Sequence, residues 1–206
     1  MKITFIIPFT APSGGIRAFF EFANRLQNRG HEIALVSPII PLRFGYTKYR
    51  SRLSILLRKI NNLFLNLKRN KKVEWFNLRA RLIIVPILNA RFIPNADIVI
   101  ATAWPTAYYV TKYPNSKGTK VYFIQHREID SGPEHLVDTT YSLPMHQLTI
   151  SKFTAQVMKE KFGKNVEAVI PLGVNLKTFY NKKKKFNRDK KILMFYSRDL
   201  RKGGEY

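Results

Sequence analysis

Short apolar runs alternate with stretches of helical periodicity along most of the chain. Lys2–Pro8 consists mainly of β-branched and aromatic residues, which is typical of a strand buried on both faces. Apolar residues then recur at helical spacing, and Gly30 ends this segment as a left-handed helix cap would. His31–Val36 returns to a strand pattern. These features predict a βαβ unit in which Gly14 and Gly15 lie at the N-terminus of the helix.

The same alternation continues after residue 90. It predicts strands at Asp97–Ala101, Lys120–Gln125, Gln147–Ile150 and Glu167–Ile170, a helix that ends at Val110, and a helix from Ser151 to Phe162. Because strands that alternate with helices favour parallel pairing, we expect an α/β fold, a Rossmann-like parallel sheet with flanking helices.

The composition changes near the C-terminal end of the chain. Residues 179–190 are polar and rich in Lys, which is typical of a linker, and an apolar strand pattern starts again after them. We therefore predict a Rossmann-like domain at 1–178, a linker at 179–190, and the first strand of an incomplete second domain at 191–206.

The charge of the chain is strongly unbalanced. Its 206 residues include 36 Lys and Arg but only 13 Asp and Glu, which gives a net charge of +23. This excess predicts an anionic partner: lipid head groups, nucleic acid or a phosphorylated substrate. The absence of Cys excludes disulfides and thiolate metal sites. The four histidines lack metal-ligand spacing, and we expect neither a metal site nor a cofactor.

The segment from Ile33 to Val73 contains ten basic residues and no acidic one. Within it, apolar residues between Leu53 and Leu67 fall on one stripe of a predicted basic amphipathic helix. Such a helix can lie on an anionic membrane surface, although the stripe could instead pack onto the domain core. The candidate membrane-binding residues are Arg50, Arg52, Leu56, Arg58, Lys59, Ile60, Lys68 and Arg69.

Several residues near predicted strand ends could take part in chemistry. Backbone N–H groups at Gly14 and Gly15 suit a phosphate or sugar oxygen, although the pair could equally be a tight turn without a ligand. His126 follows a buried strand and could donate to a phosphate or hydroxyl, or be a structural loop residue. Glu128 and Asp130 in the same loop could act as acid and base, or be solvated.

A second basic cluster follows the last predicted strand. Arg198, Arg201 and Lys202 lie beside two glycines, a combination that suits a diphosphate.

With these residues in view, the chain resembles the GT-B-fold retaining glycosyltransferases of family 4. The matching segments are the opening βαβ unit with Gly14-Gly15 and Arg29-Gly30-His31-Glu32-Ile33, the Asp97–Ala101 strand, Ile124-Gln125-His126, Ile150-Ser151-Lys152, Ile170–Asn175, and Phe195–Gly203. Asn175 departs from the Asp usual in that family, and the family's donor domain with its paired glutamates is missing.

The resemblance implies the acceptor-binding half of a GT-B enzyme plus the start of the donor half. It implies transfer, with retention, from a nucleotide-diphosphate sugar to a membrane-associated glycan or glycolipid in envelope polysaccharide biosynthesis, at the cytoplasmic face of the cell membrane. Gly14 and Gly15 would be the family's glycine turn and His126 its donor-side histidine. Arg198 and Lys202 would hold the diphosphate, with Arg201 as an alternative to either.

Without the donor half, the 206-residue chain is expected to be inactive alone. Two other classes stay open at this stage. One is a basic nucleic-acid-binding module, which the charge favours but no recognised motif supports, so no nucleic-acid partner is expected. The other is a non-catalytic interaction domain derived from a glycosyltransferase.

Overall fold

The computed structural model describes residues 1–42 and 73–176. By its internal contacts the chain divides into two units, Met1–Leu172 and Gly173–Tyr206. The predicted amphipathic helix with its membrane-binding residues, the Lys-rich linker, and the cluster of Arg198, Arg201 and Lys202 lie outside the described residues.

The described part of the first unit contains one seven-stranded sheet. Its strands are β1 (Lys2–Ile6), β2 (Glu32–Pro38), β3 (Arg81–Val85), β4 (Ile98–Ala101), β5 (Thr119–Ile124), β6 (His146–Thr149) and β7 (Ala168–Val169). The helices are α1 (Gly14–Asn28), α2 (Trp104–Val110), α3 (Glu134–Tyr141) and α4 (Lys152–Phe162). The strand order is β3-β2-β1-β4-β5-β6-β7, and every neighbouring pair is parallel. The predicted Rossmann-like parallel sheet with flanking helices is confirmed, and it is the architecture expected of one half of a GT-B fold.

The first strand lies in the interior of the sheet. β1 pairs with β2 on one side and with β4 on the other, and every residue of it after Lys2 is buried. The apolar run at the start of the chain therefore reflects burial on both faces, as its composition predicts. The strand ends at Ile6, before Pro8, which has no N–H group to add to a ladder.

Helices cover the two faces of the sheet and form two separate cores. On one face, Phe19 and Phe20 of α1 pack with Phe5 and Phe123 of the sheet. The opposite core contains residues of all the other described helices: Ala107, Val110, Val137, Tyr141 and Met158. A three-layer arrangement of this kind buries both faces of a parallel sheet.

Two elements are not among the sequence predictions. The apolar run before Pro86 forms β3 at the edge of the sheet, and Glu134–Tyr141 forms α3. The helix α3 lacks a strong periodic signal because it is short and its last turns carry Thr139 and Thr140, which are poor helix formers. Among the described helices, none is long and apolar enough to cross a membrane.

Candidate functional site

The strand order places a topological switch point between β1 and β4 at the carboxyl edge of the sheet. The chain runs outward from β1 to β3 and then crosses back to β4, so the connections after β1 and β4 diverge. In doubly wound sheets, ligands bind at this point. At this point the hydroxyl of Thr102, directly after β4, donates to the carbonyl of Ile6 at the end of β1 at 2.8 Å. The candidate site is therefore formed by the loops that follow β1, β4 and β5.

The loop after β1 leads directly into α1. Ser13 is the N-cap residue, and its Oγ accepts a hydrogen bond from the N–H of Ile16 at 3.2 Å. Gly14 and Gly15 are the first two residues of the helix, as the sequence predicts. A Cβ on Gly14 would have no atom within 4 Å, so this position opens to space. Their contact with a ligand stays a prediction.

Gln125 connects the loop after β5 to the first turn of α1. Its Nε2 donates to the carbonyl of Gly15 at 3.2 Å, across 110 residues of sequence. A Cβ on Gly15 would lie 3.2 Å from the Oε1 atom of Gln125, so the glycine makes room for this side chain. Gln125 has no predicted role beyond its place in the family resemblance. The only sequence signal for a role of Gln125 is that this polar residue directly follows a buried strand.

His126 follows Gln125 at the carboxyl edge, where the sequence predicts it. The residue is exposed, and its carbonyl accepts a hydrogen bond from the hydroxyl of Tyr141 at 3.5 Å. The structure therefore brings the glycine pair and the loop of His126 to one edge of the sheet through the Gln125–Gly15 contact. A direct role of the imidazole in catalysis stays a prediction.

The carboxyl group of Glu128 points inward from the same loop. Its Oε2 accepts hydrogen bonds from the N–H of Trp104 at 2.7 Å and from the hydroxyl of Tyr122 at 3.4 Å. Burial raises the pKa of Glu128 to about 7, although the two hydrogen bonds act in the opposite direction. Burial also raises the pKa of Tyr122, with the nearby Glu128 as a smaller cause. At neutral pH the carboxyl group is therefore divided between its neutral and charged forms.

Tyr141 of α3 holds the backbone on both sides of Arg127. Besides its contact with His126, its hydroxyl accepts a hydrogen bond from the N–H of Glu128 at 3.0 Å. Its ring stacks on that of Tyr122, with the planes only 8° apart. Burial raises the pKa of Tyr141 well above its ordinary value, so the hydroxyl keeps its proton.

Arg127 fixes the loop to the first two turns of α3. Its Nε donates to Asp138 at 3.0 Å, and its Nη2 contacts both Asp138 and Glu134. The hydrogen bond with Asp138 is the main reason that the pKa of Arg127 is raised, and the guanidinium stays charged. This guanidinium is committed to α3 and is not oriented by the structure toward a ligand phosphate.

The carboxylate pair considered from the sequence is separated into two environments. Asp130 is exposed, whereas Glu128 is enclosed by Trp104 and two tyrosines. The partners of Glu128 come from positions 24 residues before it and 13 residues after it. No pattern in the sequence connects these positions, which is why the buried environment of Glu128 could not be predicted.

His31 and His146 lie outside the loops that form this edge. His31 lines a depression of about 240 Å³ at the amino edge, together with Lys2, Arg79 and Arg81. His146 begins β6, and its Nδ1 lies 2.8 Å from an oxygen of Glu167. Neither histidine lies in the loops that follow β1, β4 and β5. Among the residues that the structure describes, no group of three or more His, Asp or Glu side chains could hold a metal ion.

Comparisons with known proteins reveal similarity at the level of fold only. No protein-family model matches the chain, and no curated protein matches it in sequence. One similar solved structure is an alpha-glucosyltransferase in complex with UDP and a 13-mer DNA containing a HMU base, with 13% identity and a TM-score of 0.45. A second is an alpha-glucosyltransferase in complex with UDP and a 13-mer DNA containing a central A:G mismatch, with 12% identity and a TM-score of 0.41.

The two matches cover 82% and 73% of this chain but only 41% and 37% of the solved chains. The chain therefore spans about two fifths of the length of the structures that it resembles. Identities this low describe a distant likeness of backbone arrangement.

Proposed function

We propose that this chain is the acceptor-binding half, with the start of the donor half, of a retaining GT-B glycosyltransferase of family 4. The complete enzyme transfers a sugar from a nucleotide-diphosphate sugar to a membrane-associated glycan or glycolipid. No cofactor takes part, and the nucleotide sugar is a substrate.

The observation that carries this proposal is the junction of two loops at the switch point of the sheet. Gln125 binds the carbonyl of Gly15, so the open first turn of α1 and the loop with the exposed His126 share one edge. Backbone N–H groups at a helix N-terminus donate to phosphate or sugar oxygens, and an imidazole can donate to a hydroxyl or a phosphate. Donors fixed before the reaction stabilise the charge that develops during it. The order of the family's motifs along the chain supports the same function.

The proposal assigns the nucleotide diphosphate to the basic cluster after the last predicted strand. Arg198 and Lys202 hold the diphosphate, and Arg201 is available as a replacement for either. These residues lie outside the described residues, and their assignment rests on the family pattern. A guanidinium is suited to bidentate contact with phosphate oxygens.

A transfer assay tests this function. The whole open reading frame that contains the chain is purified and incubated with a panel of nucleotide sugars and a membrane extract. We expect nucleotide release and transfer of sugar to the lipid-extractable fraction, with the anomeric configuration of the donor retained. The 206-residue chain alone should be inactive, because half of an interdomain cleft cannot orient a nucleotide sugar. Robust turnover by the chain alone, or inversion of the anomeric centre, would contradict the proposal.

We also propose that the enzyme is a peripheral protein at the cytoplasmic face of an anionic membrane. This rests on the run of ten basic residues without an acid around the Leu53–Leu67 stripe. Each basic residue close to an anionic surface contributes about 1 kcal/mol, so four engaged residues contribute about 4 kcal/mol.

Vesicle co-sedimentation tests the membrane proposal. The chain should bind anionic vesicles but not neutral ones, and the apolar stripe should leave part of the binding resistant to salt. The double substitution Leu56→Asp/Ile60→Asp should abolish that resistant part. Preference for RNA or DNA over anionic vesicles at physiological salt would support the nucleic-acid alternative instead, because phosphate-backbone binding is lost steeply as salt rises.

A further inference from the structure

The carboxyl group of Glu128 lies where three elements of the fold meet. Trp104 is the first residue of α2, Tyr122 belongs to β5, and Tyr141 ends α3. The first two donate to the carboxyl group, and the third binds the backbone N–H of the same residue. The loop therefore contacts all three elements through one glutamate.

The residues that follow Glu128 in the same loop make further close contacts with Glu128 and Trp104. Ser131 donates through its hydroxyl to the carbonyl of Glu128 at 2.6 Å. A Cβ added to Gly132 would lie 2.6 Å from Cζ2 of Trp104, so the chain packs closely against the indole ring. There is little room for the loop to rearrange while Glu128 keeps its contacts.

We propose that Glu128 is a positioning residue: its buried carboxyl group fixes the loop that presents Gln125 and His126 at the switch point. The consequence for sugar transfer rests on the proposed function, whereas the effect on the loop does not. Glu128 itself does not reach the open edge, because its carboxyl group is directed toward Trp104 and Tyr122.

The charge state of the carboxyl group makes this arrangement respond to pH. The groups that face it are the hydroxyl of Tyr122 from β5, the hydroxyl of Tyr141 from α3, and the N–H of Trp104 from α2. Asp138 and Arg127 lie beyond Tyr141 with opposite charges, and Arg127 is held by Asp138. The two donors favour the charged carboxylate, while its enclosure favours the neutral acid. Ionisation near neutral pH therefore strengthens the two hydrogen bonds that hold the loop but places a charge inside the protein.

Tryptophan amides give a direct measurement of this state. The chain contains two tryptophans, Trp75 and Trp104, so labelling with ¹⁵N-tryptophan gives two backbone amide signals. The Trp104 amide donates to Glu128, and its proton signal should move downfield with a midpoint near pH 7. Trp75, whose indole binds the carbonyl of Thr10, is the internal control and should not follow this titration. The titration should disappear in Glu128→Gln; its persistence there, or its absence in the unsubstituted chain, would overturn the proposal.

Histidine signals test the positioning role itself. With ¹³C-histidine, Glu128→Ala should shift or broaden the ring signals of His126 and leave those of His31 and His146 unchanged. Glu128→Gln keeps an oxygen that can accept from Trp104, and it should restore the His126 signals. Glu160→Ala, which removes an exposed glutamate on α4, is the matched control and should have no effect.

If Glu128→Ala does not fold, Tyr122→Phe removes a hydroxyl that donates to the carboxyl group itself and should produce a change of the same kind at His126. Unchanged His126 signals in a folded Glu128→Ala variant, or in Tyr122→Phe where Glu128→Ala does not fold, would overturn the proposal.

An activity measurement separates this proposal from the proposed function. In the intact enzyme, Glu128→Ala should lower kcat about tenfold, and Glu128→Gln should recover most of that loss. If no variant transfers sugar but the His126 and Trp104 signals behave as described, the function fails and the positioning role stands. If transfer occurs and Glu128→Ala leaves kcat unchanged, the positioning role fails and the function stands.

Discussion

Two regions of the carboxyl edge lie side by side but are held in different ways. The N-terminus of α1 is fixed by a contact between Ser13 and Ile16, three residues apart. The loop after β5 is fixed by Glu128 and Arg127, which bind residues of α2, β5 and α3. The first region contains no titratable group in its cap, whereas the second depends on an enclosed carboxyl group. Local capping therefore fixes the first region without a titratable group, whereas convergence of distant side chains fixes the second around one enclosed carboxyl group.

The largest expected difference concerns catalysis. In the intact enzyme, His126→Ala should cost on the order of 2–4 kcal/mol of transition-state stabilisation, as the loss of one preorganised donor does. This corresponds to a decrease of about 30- to 900-fold in kcat, measured by nucleotide release. His146→Ala, at the start of β6 and paired with Glu167, is the control and should keep its activity. Activity of a folded His126→Ala within a factor of two of the unsubstituted enzyme would assign His126 a structural role.

The second difference is the pH dependence of stability. The folded-state pKa of Glu128, about 7, lies above its ordinary value of 4.5. The folded chain therefore binds this proton more tightly than the unfolded chain, and the contribution to stability is complete below pH 4.5. It should be lost as the pH rises from 4.5 to 7, by about 3 kcal/mol in total. Urea unfolding at pH values across this window should reveal a decrease that Glu128→Gln removes. Ser13→Ala should leave the slope unchanged, because its loop has no buried acid.

The third difference concerns close packing. Gly132→Ala places a Cβ 2.6 Å from a ring atom of Trp104, so we expect a loss of about 1–3 kcal/mol in the free energy of unfolding. Gly14→Ala is the matched control, since a Cβ there meets open space. In the first turn of α1 the added methyl group should change stability by less than about 1 kcal/mol, in the stabilising direction. Equal melting temperatures for the two variants would show that the loop after β5 has room to adjust.

The smallest expected effect is the loss of the cap of α1. Ser13→Ala removes the side chain that accepts from Ile16 and should cost about 1 kcal/mol. Ser151→Ala offers a direct comparison, since its Oγ accepts from the N–H of Thr154 at 3.1 Å. We expect similar costs for the two caps in chemical denaturation. A much larger cost for Ser13 would mean that its loop also depends on contacts beyond the helix.

The elements that could be predicted from the sequence are those with local signals. Ser151 and Gly163 mark the two ends of α4, and Gly163 adopts a left-handed conformation with φ of 64°. Continuous apolar runs indicate the buried strands, so the parallel sheet could also be predicted. The placement of Gly14 and Gly15 at the start of α1 follows from the same kind of signal.

The parts that could not be predicted depend on contacts between distant residues. The helix α3 has a weak pattern and is held in part by Arg127, which precedes it in the chain. A glutamate in a loop is ordinarily solvated. Glu128 is buried only because Trp104, Tyr122 and Tyr141 surround it. The Gln125–Gly15 contact joins residues 110 positions apart. Contacts between residues this far apart in sequence can be identified only from the folded sheet.

The interior position of β1 has a consequence for how the protein folds during synthesis. The backbone N–H of Lys2 donates to Asp97 at 2.7 Å, and the pairing of β1 with β4 begins beside it, 95 residues away in sequence. At synthesis rates of about 5–20 residues per second, the ribosome takes roughly 5–20 s to synthesise the residues between β1 and β4. During that time one edge of a largely apolar strand has no partner. An unpaired strand edge favours aggregation, and contacts of long sequence separation form slowly, so the pairing of β1 with β4 is expected to be a late and vulnerable step of folding.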